Sequence, residues 1–426
     1  MARSFNATYY YSKKHLNFNV PTRGEWELHK LLSNKNRTHI DVILSMPVND
    51  VILGNASKCW SIINDPTYEN IICSISGGAD SDIVLDLTRR CDPNRKIFYF
   101  FVDTGLESKW TKEHLDYLQL KYQVKIHRFK AKIPIPLAIK QGGNPFVSKQ
   151  ASEFLMRLQK FNFEFEDWPL EDLCEKYCIR ASDEDEKAFD NHEKAKGKYV
   201  KVGEHYYRGC YSALQWWTNT KSDTGENSRF NIGYNKWLKE FLIKYKHYFV
   251  KDENGNTPFK VANKCCKITK KDTIHEIVKM LDPQLNIQGV RKAEGGARAG
   301  AYQNCYDGRY GSGEGYRPIF WFLNKDKEDY DKWCDIHHSR LYDYLKRTGC
   351  SGCPFGGNCD NERACFTKIE PQMAKAMDYV FGKSYELTNL YHDFVNKMNQ
   401  REKTEKQIQK LQQAEFSQMT IFDFVN

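Results

Sequence analysis

Residues 71–87 read IICSISGGADSDIVLDL, and this stretch decides the fold. An apolar run leads into two adjacent glycines, an Asp-Ser pair follows, and a second apolar run has helical spacing. The pattern predicts a buried strand, a tight loop and a helix in immediate succession. Adjacent glycines let the backbone approach a ligand closely, and amides at a helix N-terminus attract an anion. The loop is either a structural turn or a phosphate cradle.

The polar residues of the loop suit a phosphate. Ser76 and Ser81 add hydroxyl donors beside Gly77 and Gly78. Asp80 is unusual beside a phosphate unless it holds a cation such as Mg²⁺ or orients a water molecule. The loop has neither the G-K-[ST] ending of a Walker A motif nor G-x-G-x-x-G spacing. The sequence therefore predicts phosphate binding of a different type.

The segments that follow continue an alternation of strands and helices. Residues 96–105 read KIFYFFVDTG, a continuous apolar run that is typical of a strand buried on both faces. A helical pattern follows at 111–122, a strand pattern at 124–131, and LNIQGV near residue 285 is expected to return to the sheet. The alternation predicts an α/β fold with a doubly wound, mostly parallel sheet.

A second group of candidate residues follows the strand that ends near residue 103. Asp103, Thr104 and Gly105 are expected at the carboxyl edge of the sheet, where doubly wound folds bind their ligands. For Asp103 the alternative is a helix N-cap.

A third group lies in GVRKAEGGAR, residues 289–298. Arg291 and Arg298 can each clamp a phosphate or sulfate through two hydrogen bonds. Glu294 can orient either arginine. The alternative is a salt-bridge network on the surface.

Composition narrows the class of protein. The 426 residues suffice for one large domain or two to three ordinary ones, and 40% hydrophobic residues predict a sizeable core. No apolar run reaches membrane length and the N-terminus lacks the apolar core of a secretion signal, so we expect a cytoplasmic protein without a membrane partner. The net charge of +9 favours a polyanionic partner, nucleotide or nucleic acid; the alternative is a merely basic protein.

The patterns divide the chain into five predicted segments. Residues 1–70 are mostly helical, 71–147 form the first part of a nucleotide-binding core, and 148–260 form a helical insertion or lid. Within this insertion the charged stretch SDEDEKAFDNHEKAKGK is interpreted as a solvated loop. Residues 261–368 complete the core with the arginine loop and a cysteine site, and 369–426 form a charged helix with an apolar tail.

Fourteen cysteines are many for an intracellular chain, and four of them form two pairs. Cys265 and Cys266 are adjacent, and Cys350 and Cys353 have C-x-x-C spacing. Four thiolates suit a [4Fe–4S] cluster or a zinc ion, and an adjacent pair is unusual for structural zinc. The third alternative is that these cysteines are buried and bind nothing.

Residues around the two pairs fit a negatively charged cluster. Cys359 and Cys365 follow the C-x-x-C pair and can substitute for a ligand. Lysines that would offset the cluster's charge flank the adjacent pair: Lys264, Lys267, Lys270 and Lys271. The other cysteines are expected to be small buried hydrophobic residues, for example Cys73, Cys91 and Cys174.

Several motifs together resemble one family. SGGADS resembles the Ser-Gly-Gly-x-Asp-Ser pyrophosphate loop of the ATP pyrophosphatase and phosphoadenylylsulfate (PAPS) reductase superfamily. FVDTGLE resembles that family's second strand end, NPFVSKQASE resembles the segment after the third strand in phage and plasmid members, and GVRKAEGGAR resembles G-x-R-x-x-E-S-x-x-R. Gly295 replaces the family's serine, which removes one hydroxyl contact. The resemblance covers roughly residues 70–360 and implies an adenine nucleotide alpha-hydrolase-like fold.

The resemblance also implies which residues would act. The adenine nucleotide, ATP or adenylylsulfate/PAPS, would be bound by Ser76, Gly77, Gly78, Asp80, Ser81, Asp103, Thr104, Gly105, Arg291 and Glu294. The catalytic set would be Asp80, Ser81, Arg291 and Arg298. The cysteines Cys265, Cys266, Cys350 and Cys353 resemble the Cys-Cys and Cys-x-x-Cys ligand set of the iron–sulfur adenylylsulfate reductases.

One departure from the family bears on the chemistry. PAPS and adenylylsulfate reductases carry a C-terminal Glu-Cys-Gly-Leu/Ile-His whose cysteine attacks sulfur, and this chain has no cysteine after Cys365. The remaining parts suit an ATP pyrophosphatase that adenylates an acceptor, as in enzymes that put sulfur into the DNA backbone, with a sulfur donor protein as partner. The alternatives are a reductase that uses an external thiol or the cluster, and a catalytically silent nucleotide-sensing or DNA-associated module.

The end of the chain resembles a binding peptide. Residues 418–422 read QMTIF, which is similar to the bacterial sliding-clamp-binding peptide Gln-Leu-Ser/Asp-Leu-Phe. Such a peptide would dock Met419, Ile421 and Phe422 into an apolar groove and hydrogen-bond through Gln418. The alternative is an amphipathic tail that folds back onto its own core.

Overall fold

A computed structural model describes residues 22–295, 300–308, 313–346, 349–356 and 359–422, with side chains as far as residue 413 and except that of Arg23. The chain forms two compact units, each assembled from three segments. The first unit comprises Met1–Pro136, Cys266–Ser351 and Asn361–Ala376, and the second comprises Leu137–Cys265, Gly352–Asp360 and Met377–Asn426. The five consecutive segments proposed from the sequence remain a prediction, because each compact unit joins parts that are distant along the chain.

The described strands and helices alternate along much of the chain. The strands are β1 (Ile71–Ser74), β2 (Ile97–Asp103), β3 (Ile126–Lys130), β4 (Ile179–Arg180), β5 (Val200–Val202), β6 (His205–Arg208), β7 (Leu285–Ile287), β8 (Tyr306–Asp307) and β9 (Glu314–Tyr316). The α-helices of the first unit are Arg23–Ser33, His39–Leu44, Asp50–Ile63, Ala79–Cys91, Lys109–Tyr122, Asp272–Leu281 and Asn324–Trp333.

A six-stranded sheet forms the centre of the first unit, with the strand order β3-β2-β1-β7-β9-β8. Neighbouring strands are parallel from β3 through β9, and only β8 pairs antiparallel. The chain leaves β1 towards β2 and β3 and later returns to β7 on the other side of β1. This reversal is the topological switch point at which doubly wound sheets bind their ligands. The predicted α/β fold with a mostly parallel sheet is confirmed.

The side chains of β1 alternate between two apolar clusters on opposite faces of the sheet. Ile71 and Cys73 pack into the larger cluster, which includes residues of the helix Ala79–Cys91. Ile72 packs with Phe100 of β2 and with the helix Asp272–Leu281 on the other face. A strand that is buried on both faces needs apolar side chains at every position, which explains the uninterrupted apolar run in the sequence.

The N-terminal helices are joined to the sheet layer through a buried arginine. Arg37 is 4% exposed, and its guanidinium donates hydrogen bonds to the carbonyl oxygens of Arg90 at 2.8 Å, Arg89 at 2.9 Å and Asp92 at 2.7 Å. Carbonyl groups at the end of a helix have no partner within it, so the arginine satisfies the C-terminus of the helix Ala79–Cys91. The helix that carries the glycine loop at its other end is thereby fixed.

The second unit has its own core, which is rich in aromatic side chains. Its helices include Lys149–Lys160, Leu170–Tyr177, Asp183–Asp190, Tyr211–Trp217 and Leu238–Lys244, and a small antiparallel sheet has the order β4-β6-β5. The long helix Pro371–Phe422 contributes Leu387, Tyr391 and Phe394 to this core. None of the helices in the described part of the chain is both long and apolar enough to cross a lipid bilayer.

The charged stretch within the insertion was wrongly predicted to be only a loop. It contains the helix Asp183–Asp190, whose first turn is capped by the Ser182 hydroxyl, which accepts a hydrogen bond from the Asp185 amide at 3.2 Å. Phe189 is 2% exposed and anchors the helix to Tyr206 of β6. Glu186 is also buried and accepts a hydrogen bond from the Tyr206 amide at 3.0 Å. One aromatic and one charged side chain therefore hold this short helix, and they give no periodic apolar pattern.

The C-terminal tail is only partly described. The backbone of residues 418–422 continues the helix Pro371–Phe422. Its side chains lie outside the described residues, so the clamp-binding peptide remains a prediction from the sequence.

Candidate functional site

The glycine loop lies between β1 and the helix Ala79–Cys91, at the carboxyl edge of the parallel sheet. The Ser81 hydroxyl donates to the Gly78 carbonyl at 2.7 Å and accepts from the Gly78 amide at 3.1 Å. The Ser76 hydroxyl lies 3.2 Å from that of Ser81. Both serines predicted to contact a phosphate therefore face the same turn, at the N-terminus of a 13-residue helix.

Gly77 makes the tight turn possible. Its φ is +71°, and a Cβ built there would lie 3.0 Å from the Thr111 side chain. A residue with a side chain would be strained in this conformation and crowded by the neighbouring helix. The first glycine thus fixes the path of the loop, as the sequence pattern indicated.

Asp80 and Arg291 form an ion pair across the switch point. The Arg291 Nε donates to Asp80 Oδ2 at 3.0 Å, and its Nη1 donates to Asn324 Oδ1 at 3.1 Å. The two side chains are 9% and 16% exposed. The segment after β7 approaches the loop closely, because a Cβ on Gly289 would lie 3.4 Å from the Ser81 Cα. The structure therefore brings together two predicted residues that are 211 positions apart.

The structure describes one of the two other predicted site residues in the arginine loop, Glu294, and does not describe Arg298. Glu294 is exposed at the end of the short 3₁₀ helix Lys292–Glu294, and Gly295 follows with a φ of +69°. Arg298 lies outside the described residues. The pairing of Arg298 with a phosphate stays a prediction from the sequence.

Tyr342 binds one amide of the glycine loop, and no motif in the sequence predicted this contact. Its hydroxyl accepts a hydrogen bond from the Ala79 amide at 2.8 Å. Tyr342 lies in the 3₁₀ helix Arg340–Asp343, far from the loop in sequence. An amide at the start of a helix is the kind of donor that binds a phosphate oxygen, so the tyrosine hydroxyl occupies a position that such an oxygen would take.

The predicted residues after β2 form a compact turn. Asp103 accepts a hydrogen bond from the Gly105 amide at 2.9 Å and pairs with Lys112 at 3.0 Å. Gly105 has a φ of +82°, and a Cβ there would lie 2.8 Å from Pro134, so only glycine fits. The following helix Lys109–Tyr122 is capped by Ser108, which contradicts the alternative of Asp103 as its N-cap.

Two of the four predicted cluster cysteines act on one lysine, and one of them lies beside this turn. The Thr104 hydroxyl lies 3.6 Å from the sulfur of Cys350 and donates to Glu107 at 2.8 Å. Burial disfavours the charged form of Lys270, but Cys350, Glu107 and Cys266 raise its pKa above the ordinary 10.5. Lys270 lies in a π-helical stretch, Lys267–Lys271, that begins directly after Cys266. Such stretches are frequent at functional sites.

The other two predicted ligands, Cys265 and Cys353, are divided from Cys266 and Cys350 by the boundaries of the compact units. Cys265 and Cys353 are assigned to the second compact unit, as is Cys359, whereas Cys365 belongs to the first. The structure therefore brings Cys266 and Cys350 to one lysine, and the complete set of four remains a prediction.

A buried carboxylate directly after the loop was missed by the sequence analysis. Asp82 is completely buried, and its Oδ2 lies 3.0 Å from His114 Nε2 and 2.9 Å from His338 Nδ1. The other nitrogen of His338 lies 3.1 Å from Asp331 Oδ2. Burial would raise the pKa of Asp82, but the two histidines hold it below the ordinary 3.8. The only sign in the sequence was a second acid at the start of an apolar helix.

The histidine network predicts a stability that depends on pH. Burial would lower the pKa of His338, but Asp331 and Asp82 raise it to about 9 from the ordinary 6.5. A raised pKa stabilises the fold fully below pH 6.5, and this contribution is lost as pH rises through 9. We expect the free energy of unfolding to fall by up to about 3 kcal/mol between these values, measured by urea denaturation at a series of pH values.

The matched variants for this experiment are His338→Gln and His275→Gln. His275 is exposed on the helix Asp272–Leu281, so its replacement should leave the pH slope unchanged. His338→Gln should flatten the slope between pH 6.5 and 9. An unchanged slope in His338→Gln would contradict the assignment.

A carboxylate–histidine group near the N-terminus also has the spacing of a metal site. Ligand atoms of Glu25, Asp335 and His337 all lie within 4.8 Å of one another. The Lys121 ammonium donates to the Asp335 carbonyl at 2.7 Å and its charge acts on Glu25. Burial raises the pKa of Glu25 and lowers the pKa of Lys121, and the charge of each group opposes the effect of burial on the other.

The comparison with protein families agrees with this geometry. Residues 70–167 match the family described as the phosphoadenosine phosphosulfate reductase domain. That family belongs to the PAPS reductase / adenine nucleotide alpha-hydrolase superfamily, so this domain is a member of the superfamily. The match includes the glycine loop and the turn after β2, and proteins with this domain are generally enzymes. No curated protein matches the sequence of the chain.

Proposed function

We propose that the first unit binds ATP with its phosphates at the glycine loop and transfers the AMP group to an acceptor, which releases pyrophosphate; AMP leaves when a sulfur nucleophile later displaces it. The observation that supports this proposal most directly is the Asp80–Arg291 pair at the switch point of the sheet. A guanidinium and a carboxylate beside a helix N-terminus can serve the phosphates and their counter-ion together.

The glycine loop, Arg291 and Asp80 would each act on a different part of the ATP phosphates. The loop amides and the hydroxyls of Ser76 and Ser81 would hold phosphate oxygens, and Arg291 would neutralise charge that develops on the α-phosphorus. Asp80 would exchange its pairing with Arg291 for a Mg²⁺ ion on the pyrophosphate, since carboxylate and phosphate oxygens are the ligands that Mg²⁺ prefers. Mg²⁺ would supply charge neutralisation for the leaving pyrophosphate.

ATP is favoured over a sulfonucleotide because of the cysteine inventory. Reduction at sulfur needs a thiolate nucleophile, and residues 366–426 contain no cysteine that could serve as one. Adenylation needs no protein nucleophile, since an oxygen of the acceptor attacks the α-phosphorus. A sulfur donor protein would then act on the activated acceptor.

The residues in the first unit fit one side of an iron–sulfur or zinc site. Cys266 and Cys350 lie close enough to Lys270 for both to affect its pKa, and Thr104 lies 3.6 Å from Cys350. Thiolate ligands beside an ammonium and a hydroxyl suit an anionic cluster. Cys265 and Cys353 would complete the set of ligands, and the bound group would supply sulfur transfer or redox chemistry.

Product analysis tests the proposed activity. Protein purified anaerobically is incubated with ATP and Mg²⁺, with and without DNA or RNA as acceptor, and AMP and pyrophosphate are quantified. The proposal predicts one AMP group, either free or bonded to the acceptor, for each pyrophosphate released. Absence of both with every acceptor would reject it.

A reductase is the second candidate, because one cysteine lies at the turn after β2. Cys350 contacts Thr104, which directly follows Asp103 at the carboxyl edge of the sheet. Adenylylsulfate or PAPS, supplied with thioredoxin as an external thiol, would release sulfite if this cysteine or the cluster served reduction. Sulfite release without pyrophosphate release would favour this candidate.

Replacing Cys350 with serine is predicted to remove the bound metal. Because a structural thiolate ligand is lost, iron or zinc per chain should fall to a small fraction of wild type, together with absorbance near roughly 400 nm if iron is present. The matched control is Cys73→Ala, which changes a fully buried cysteine in β1. Wild-type metal content in Cys350→Ser would contradict the ligand assignment.

Two further partners are proposed on the sequence alone. The net charge of +9 suits nucleic acid as the acceptor. The QMTIF segment would place the enzyme at a sliding clamp. A pull-down with the sliding clamp, comparing the full chain with one that ends at residue 417, tests this interaction without changing the proposed nucleotide site.

A further inference from the structure

Three cysteines of the second unit lie beside one another and are separate from the predicted cluster ligands. The sulfur atoms of Cys178 and Cys210 are 3.8 Å apart. Cys174 lies one helical turn before Cys178, in the helix Leu170–Tyr177. Cys174 and Cys210 are buried, whereas Cys178 is partly exposed. The arrangement gives one accessible thiol with two protected thiols next to it.

The backbone of the small sheet holds Cys178 near Cys210. Ile179 of β4 pairs with Arg208 of β6 in an antiparallel register, so residues just before 179 lie beside residues just after 208. Gly209 has a φ of +129°, and a Cβ there would lie 2.9 Å from the Phe161 ring, so the turn requires glycine. Continued by one residue, this register sets Cys178 opposite Gly209, next to Cys210, and the sulfur atoms of the two cysteines are 3.8 Å apart.

The surroundings of Cys178 favour its thiolate. Hydrogen bonds from the thiols of Cys174 and Cys210, together with the backbone amides of Cys210 and Tyr211, lower the pKa of Cys178 against the effect of burial. The same contacts with Cys178, followed by burial, raise the pKa of Cys174 and of Cys210. A thiolate that is partly exposed and has a neighbouring thiol is typical of a redox-sensing cysteine.

A metal ion fits these three thiols less well than a disulfide. Among the residues that the structure describes, the group whose ligand atoms all lie within 4.8 Å of one another is Glu25, Asp335 and His337, and the three thiols do not form such a group. Cys178 interacts with both of the other thiols, and its sulfur lies 3.8 Å from that of Cys210. Disulfide formation needs only that pair.

We propose that Cys178 and Cys210 form a reversible disulfide, in which Cys178 reacts first with a peroxide. The Cys178 thiolate attacks one peroxide oxygen and becomes a sulfenic acid, and the other oxygen leaves as hydroxide. The Cys210 sulfur then attacks the sulfenic sulfur, the S–O bond breaks, and the departing hydroxide takes the Cys210 thiol proton to give one water molecule. The hydroxide from the peroxide takes the proton that Cys178 released on ionising and gives the second. The two thiols lose two electrons and hydrogen peroxide is reduced to two water molecules; an external dithiol reverses the change.

Peptide mapping tests the proposal directly on the full-length protein. Reduced protein is treated with a small excess of hydrogen peroxide, its remaining thiols are alkylated, and its peptides are identified by mass spectrometry. The expected product joins the peptides of Cys178 and Cys210 and disappears after dithiothreitol. Cys73 is fully buried in β1 and should stay reduced in the same digest, which makes it an internal control.

Two variants extend the test. Cys178→Ser should abolish the cross-link, whereas Cys210→Ser should abolish it and increase the labelling of Cys178 by dimedone, which traps a sulfenic acid. At about pH 6.5, iodoacetamide should modify Cys178 in the wild type at least about tenfold faster than Cys174 or Cys210.

Three results would overturn the proposal. One is a folded protein that forms no Cys178–Cys210 product. Another is a cross-link from Cys178 to Cys174 in its place. The third is one equivalent of metal that protects these thiols from alkylation and is absent from Cys178→Ser.

Discussion

Replacing Arg291 with alanine is expected to slow the release of pyrophosphate from ATP by about 100- to 1,000-fold. Losses of this size are typical when one preorganised group that stabilises the charge of the transition state is removed. The guanidinium is 9% exposed and directed at Asp80 beside the glycine loop, so a water molecule cannot replace its two directed hydrogen bonds. The measurement is the steady-state rate of AMP and pyrophosphate formation, with kcat and KM determined separately.

The matched control is Arg157→Ala. Arg157 pairs with Glu153 within one helix of the second unit and is 45% exposed, so its loss should change the rate less than twofold. If the first unit proves to be a reductase, Arg291→Ala should slow sulfite release by a similar factor, because the clamp would serve either nucleotide. A rate within threefold of wild type in either assay would show that Arg291 does not contact the reacting phosphate.

The central fold could be predicted because its signals are local. An uninterrupted apolar run identifies strands such as β1 and β2, since both faces of these strands are buried. Glycines at 77 and 105 mark turns that no other residue would fit. The helix Asp183–Asp190 was missed because its buried residues are one phenylalanine and one glutamate, which give no apolar period. Local pattern fails where a single contact between distant segments decides the structure.

The candidate site was predicted in part for the same reason. The loop, the turn at Asp103 and Arg291 follow strand ends, which the sequence locates. The hydrogen bond between Tyr342 and the Ala79 amide joins residues 263 positions apart. The contacts of Asp82 with His114 and His338 join residues 32 and 256 positions apart, and no local signal reports such contacts. Composition likewise assigned Cys174 to the apolar core, and only the fold showed its neighbouring thiols.

Replacing Asp82 with asparagine is expected to lower the free energy of unfolding by about 3 kcal/mol near pH 6.5. Removing one partner of a buried ion pair typically costs about 3–5 kcal/mol, and the lower end applies because His338 can release its proton once its partner is gone. Asp82 is completely buried and its Oδ2 faces two imidazoles, so no solvent can compensate for the lost charge. Urea denaturation followed by circular dichroism measures the effect.

The control and the pH profile distinguish the loss of this charge from general damage. Asp116→Ala removes the exposed partner of Arg128, a surface pair worth at most about 1 kcal/mol. In Asp82→Asn the pKa of His338 should also fall, since Asp331 alone remains to raise it, and the decline in stability between pH 6.5 and 9 should become shallower. A variant as stable as Asp116→Ala, with the slope of wild type, would mean that the histidines do not depend on Asp82 for their charge.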